Sequence, residues 1–151
     1  MSHLPAGAIH HIRLAVTDVD RSKAFYTEVL GFEVAVDAPP PPGDEHHDAI
    51  VDSLQGGVIL MHEGMFFGLR PVDAERATGP DRFDPLRVGL DHLSFSVPTR
   101  ADLDAAVRVL DESGVEHGPI RELVPLGLCF LAFFDPDGIA LELTAPISDL
   151  T

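Results

Sequence analysis

Tryptophan is absent from this chain, and tyrosine and cysteine occur once each. Lysine and arginine together number only 10, against 25 aspartates and glutamates. Each shortage excludes something. A lone cysteine, Cys129, rules out an internal disulfide and fits a reducing cytoplasm, where an inert buried thiol is expected of it. The net charge of −15 leaves no basic footprint of the kind that nucleic acid or an anionic membrane needs, so neither is expected as a partner. A neutral or cationic ligand stays compatible with that charge, as does solubility alone. No apolar run reaches the length of about eighteen residues that a membrane span needs. The opening "MSHLPAGA" lacks the basic and apolar regions of a secretion signal. What is present is a globular composition, 45% hydrophobic and 23% charged over 151 residues, enough for one domain with a real core.

The chain carries an internal repeat. "HIRLAVTDVDRSKAFYTEVLGFEV" (11–34) and "HLSFSVPTRADLDAAVRVLDESGVEH" (92–117) share one layout. Each opens with a histidine and an alternating strand, passes through a polar turn, and enters a helical segment that stops at Gly31 or Gly114. Asp18 or Asp20 can cap the first helix, and Thr99 or Arg100 precedes the second, whose stripe is Leu103, Ala106, Val107 and Leu110. Further strands are expected at 32–36 and 58–62, with a poorly defined segment at 48–54 between them, and at 130–134 and 139–144. The last two are joined by the turn "DPDG". "APPPPGDEHH" (38–47) is expected to be an extended, mobile loop, and the Pro- and Gly-rich stretch after residue 64 a linker. The plan is βαβββ, linker, βαβββ.

Alternation then sorts the side chains, because successive residues of a strand face opposite ways. Along 10–16, Ile12, Leu14 and Val16 form the apolar face that packs under the helix, which leaves His11 and Arg13 opposite. His10 sits at the strand's mouth. Along 92–97, Leu93, Phe95 and Val97 take the helix side, and His92, Ser94 and Ser96 the other. Along 139–144, Ile139, Leu141 and Leu143 point to the core and Glu142 away from it. Three strands thus send His11, His92 and Glu142 onto the non-helix face. A carboxylate flanked by leucines is hard to bury without compensation, and a divalent cation shared with two neutral imidazoles would supply it.

On "HIRLAVTDVDRSKAFYTEVLGF" (11–32), "GLDHLSFSV" (89–97) and "FFDPDGIALEL" (133–143), the chain resembles the vicinal oxygen chelate superfamily. That family includes glyoxalases, fosfomycin and bleomycin resistance proteins, and extradiol dioxygenases. The resemblance implies an α+β fold of two βαβββ modules whose mixed sheet curls into a partly open barrel with helices outside. Module 1 would span about 8–63, the linker about 64–88 and module 2 about 89–146, within one domain over 1–151. It implies His11, His92 and Glu142 as metal ligands. A fourth ligand used by some members, among them glyoxalase I, would fall on Leu60, which cannot bind a metal.

Two imidazoles and one carboxylate leave neighbouring coordination positions open and suit Fe(II) or Mn(II), with Zn, Ni or Co also possible. A small substrate with adjacent oxygens could chelate there, for dioxygenase or lyase/isomerase chemistry. His62 shares the Leu60 face and is a candidate base, substrate contact or displaced ligand, or else a strand-end histidine in solvent. Arg13 is a candidate for binding an anionic substrate group, or for pairing with an acidic neighbour. Tyr26, the single tyrosine, lies in the first helix and packs in its apolar pattern. "MFF" (65–67) can line a pocket, cover a dimer interface or pack in the core, and a homodimer is the expected assembly. The alternative to an enzyme is a bleomycin-type protein that sequesters a cationic drug, which the acidic charge favours and the retained donor set does not.

Overall fold

In the computed structural model, residues 3–147 are described. They form two compact units that divide between Pro80 and Asp81. The first unit contains β1 (His11–Val16), α1 (Val19–Ala24), β2 (Glu33–Val36), α2 (His47–Leu54), β3 (Val58–His62), β4 (Met65–Pro71) and α3 (Ala74–Thr78). Its sheet runs in the order β1-β4-β3-β2, with β1 parallel to β4 and the other pairs antiparallel. The second unit contains β5 (Leu93–Ser96), α4 (Arg100–Glu112), β6 (Arg121–Leu123), β7 (Leu128–Phe134) and β8 (Ala140–Pro146). Its sheet repeats the arrangement as β5-β8-β7-β6, again with only the first pair parallel. The α+β plan of two βαβββ-like modules holds.

Local chemistry fixes the boundaries. Asp18 caps α1 by accepting a hydrogen bond from the Arg21 amide. Thr99 and Asp102 form a reciprocal capping box at α4. After α1 the chain continues into a π-helical turn (Phe25–Val29) and ends at Gly31, whose φ of +72° is open to glycine at little strain. The turn at 135–138 is held by Asp135, whose Oδ1 accepts from the amides of Asp137 and Ile139.

Two segments differ from the expectation. Residues 48–54 belong to α2, which closes with Gln55 in the left-handed region at φ +50°. Met65–Pro71, expected to lie in a linker, is β4, the strand that pairs with both β1 and β3 in the first sheet.

Each sheet has one face against its helix. In the first unit Leu14, Val16, Leu60, Phe67 and Leu69 are buried, and Tyr26, Phe32 and Phe67 pack ring against ring at 4.9–5.6 Å. In the second, Leu103 and Leu110 of α4 are buried, as are Cys129, Leu131, Phe133 and Leu141 of β7 and β8, and α4 contacts both strands. Among the described residues no helix is long and apolar enough to cross a membrane.

Candidate functional site

Glu142 sits in mid-β8 with its Cα paired to Ser94 of β5. The side chain leaves the core face, where Leu141 is buried, and meets hydroxyls. Its Oε1 lies 3.1 Å from Ser94 Oγ and 2.9 Å from Thr144 Oγ1, and with the hydroxyls 2.6 Å apart one donates to the other, which in turn donates to the carboxylate. The carboxylate is thereby held in one orientation while only 18% exposed. Its other oxygen, Oε2, lies 3.9 Å from Nε2 of His92, beyond hydrogen-bonding range.

His92 directly precedes β5. Its Nδ1 is 2.5 Å from Oδ1 of Asp91. With the Nδ1 proton donated to that carboxylate, the lone pair of the neutral ring resides on Nε2, the nitrogen nearest Glu142. A carboxylate behind a histidine is the usual support of a metal-binding imidazole, fixing tautomer and ring orientation. One ion with bonds of about 2.0–2.2 Å reaches donors up to about 4.4 Å apart. The 3.9 Å between Nε2 and Oε2 therefore fits a shared cation. Among the described residues no group of three or more His, Cys, Asp or Glu is assembled that could hold a metal by itself. Within the second unit the assembly is this pair.

The first unit carries the other two candidates. His11 and Arg13 are exposed on β1, alternating with buried Leu14 and Val16, as the period of two requires. His11 Nδ1 lies 2.9 Å from Nδ1 of His10. Arg13 Nη2 donates to the carbonyl of Leu54, the last residue of α2, at 2.6 Å. Both side chains line a cavity of about 260 Å³ whose walls include Val36, Ile59, Phe66 and Gly68.

The register locates the counterpart of Glu142 and corrects the fourth-ligand assignment. In the second unit the residue two positions after His92, Ser94, pairs with Glu142. In the first unit the residue two positions after His11, Arg13, pairs with Gly68. Gly68, not Leu60, occupies the corresponding place. Leu60 lies on β3, is 0% exposed and belongs to the helix-side core, as does Phe133, the matching residue of β7. This position offers no donor, because glycine has no side chain. The space is filled: a Cβ on Gly68 would meet Arg13 Cγ at 2.9 Å.

His62 is not on the His11 face of the first sheet. It pairs with Met65 and shares the helix-side face with Leu60, and its ring stacks on Phe32 at 4.3 Å and 14°. The ring therefore packs against that aromatic cluster, on the face opposite His11. Tyr26 is fully buried in the same cluster. Asp91, Ser94 and Thr144, the groups that orient the donors, went unassigned in the sequence. The alternation that selected Glu142 also placed Ser94 and Thr144 on its face, and Asp91 is adjacent to His92.

The sequence pattern of the Glyoxalase/Bleomycin resistance protein/Dioxygenase superfamily matches residues 8–143. The uncharacterized protein YwkD of Bacillus subtilis is 39% identical over 137 residues, covering 90% of this chain and 94% of that one. A crystal structure of a glyoxylase/bleomycin resistance protein/dioxygenase domain from Frankia sp. superposes with a TM-score of 0.71 at 32% identity, over 93% of each chain. Lactoylglutathione lyase from Agrobacterium tumefaciens shares the fold, with a TM-score of 0.63 at 21% identity over 94% of this chain and 96% of that one.

Proposed function

The chain belongs to the glyoxalase/bleomycin resistance protein/dioxygenase superfamily, and from that premise we propose that it is a metal-dependent enzyme acting on a small substrate with adjacent oxygens. His92 and Glu142 hold the ion, and the resemblance to the family names His11 as the third ligand. The observation that carries this reading is the preparation of the second-unit pair. Asp91 sets the tautomer of His92, and two hydroxyls hold one oxygen of a mostly buried carboxylate while the other stays at 3.9 Å from the imidazole. An isolated buried carboxylate is costly, and a cation shared with imidazoles compensates it.

Two imidazoles and a carboxylate suit Fe(II) or Mn(II), with Zn, Ni or Co as other occupants. A bound ion of this kind supplies Lewis acidity to vicinal oxygens or a site for dioxygen chemistry. The protein's own part is to orient and to neutralise. Asp91 keeps His92 from turning, Ser94 and Thr144 keep Glu142 from turning, and Arg13 offers a fixed positive charge on the His11 face. Gly68 stands in the first sheet where the second has Glu142 and adds no donor, which favours chemistry that needs open positions over a four-ligand lyase site. No acid–base role falls to His62, whose ring is stacked on Phe32.

The acidic charge of −15 favours a second reading, sequestration of a cationic ligand without chemistry. One purification separates them. Near-stoichiometric Fe or Mn in the untreated protein, lost in His92→Ala, supports the enzyme. Tight binding of a cationic aromatic drug by protein that takes up no metal supports sequestration. Oxygen uptake over a panel of catechols then divides dioxygenase from lyase or isomerase chemistry.

A further inference from the structure

We propose that the cavity of the first unit recognises a small organic carboxylate on a compact apolar body, and that Arg13 is the residue that selects the anion. The cavity is the one of about 260 Å³ bounded by β1, β4 and β3. Its wall is largely apolar, from Val36, Ile59 and Phe66, with Ser53 of α2 adding one hydroxyl. Arg13 is the one group with a permanent charge among its lining residues.

Three observations support a binding role over a merely structural one. The bond from Arg13 Nη2 to the Leu54 carbonyl fixes the guanidinium on a neutral acceptor, and among the described residues no carboxylate is paired with it. Lys23, Arg76, Arg87 and Arg100 are each set against a carboxylate, whereas Arg70, like Arg13, donates to a neutral oxygen, that of Gln55, but lies outside the cavity. A guanidinium carries five N–H donors in a planar fork, and one suffices for Leu54. Finally, the Arg13 stem occupies the space beside Gly68 that any larger residue there would contest, at 2.9 Å from a Cβ. The glycine thus admits the arginine to the row that holds Ser94 and Glu142 in the second unit.

In a chain carrying −15, an uncancelled cation in a concave apolar wall selects anions against the general field. Apolar walls with one charged anchor suit a branched or cyclic carboxylate better than a phosphate, which demands several donors. The inference rests on the metal-centred reading only in taking this carboxylate to be the substrate's own. The recognition itself requires no ion.

The test uses the full chain, with 3-methylbutanoate as probe and 3-methylbutanamide as its neutral counterpart, followed by ligand-observed NMR titration up to about 50 mM, the range suited to so small a ligand. The acid is expected to bind at least about tenfold more tightly than the amide, and Arg13→Gln to remove that preference while Arg13→Lys keeps part of it. The acid–amide comparison needs no variant, so a poorly folding Arg13→Gln would not blunt it. Equal binding of acid and amide, no binding of either, or full acid preference in folded Arg13→Gln overturns the proposal. The titration is repeated on chelator-treated protein. Retained preference there supports recognition by Arg13 even if the metal reading fails, whereas preference lost with the metal shows the acid to be a metal ligand and overturns it.

Discussion

Asp91→Ala tests whether His92 is a prepared ligand. The Asp91 carboxylate reaches His92 Nδ1 at 2.5 Å, a charge-assisted contact of the strong kind. Removing such a support from a metal-binding histidine lowers metal affinity by about 10–100-fold. The side chains are 45% and 73% exposed for His92 and Asp91, so water screens the contact and the lower end applies. The expected loss is about tenfold, or about 1.4 kcal/mol. Asp91→Asn keeps an acceptor for the Nδ1 proton but not its charge, and should lose about threefold on the same scale. Competition with a chromophoric chelator for Mn(II) at neutral pH reads both numbers, with His92→Ala as the reference for losing a donor outright. If Asp91→Ala binds as wild type does while His92→Ala abolishes binding, orientation by Asp91 contributes nothing and the reasoning fails. If wild type itself takes up no metal, the pair at 3.9 Å is not a cation site.

Leu60→Glu, which would install a carboxylate where a fourth ligand was expected, instead buries a charge in the helix-side core. It should destabilise the fold by at least about 3 kcal/mol with no gain in metal affinity, as chemical denaturation and chelator competition would show. Gly68→Ala should crowd Arg13 and lower stability by about 1 kcal/mol, a loss that Arg13→Ala largely cancels; additive losses across this double-mutant cycle would contradict the packing described. His117 is held above its ordinary value of 6.5, chiefly by its hydrogen bond with Asp111 and next by that with the Gly118 carbonyl. A raised folded-state pKa contributes stability that is complete below 6.5 and lost as pH rises through the folded value. Asp111→Asn should therefore flatten the pH dependence of the urea midpoint over that window, and an unchanged slope would remove His117 as its source.

The faces of the strands were legible in the sequence because alternation is imposed by the pleat and only one side can be apolar. His11 and Arg13 on β1, Ser94 on β5 and Glu142 on β8 all fall on the sides that the pattern assigns. The helix caps at Asp18 and Thr99 were legible for a similar reason, since few residue types can accept the first free amides. What alternation does not supply is the number of strands. "MFFGLRP" contains a glycine at its centre and ends in Arg70-Pro71, and both features read as loop. Its strand character comes from pairing on both sides, with β1 and with β3. α2 was obscured in the same way, since no side chain caps it and its last turn closes on Gln55 instead of a glycine.

One missed strand propagated into the chemistry. With β4 read as linker, the resemblance puts the fourth-ligand position on β3, at a core leucine that alternation alone does not flag. Restoring β4 moves the position to Gly68 and changes what its emptiness means. Leu60 would have been a donor replaced by an inert side chain. Gly68 carries no side chain, and the space beside it is occupied by Arg13, its partner on the parallel strand. The two modules therefore solve the same row in complementary ways. In the second, a small serine stands beside a long carboxylate that it helps to orient. In the first, a long arginine stands beside a glycine, with its charge anchored on a neutral carbonyl. Each row holds one long charged chain, and exchanging the partners exchanges the sign.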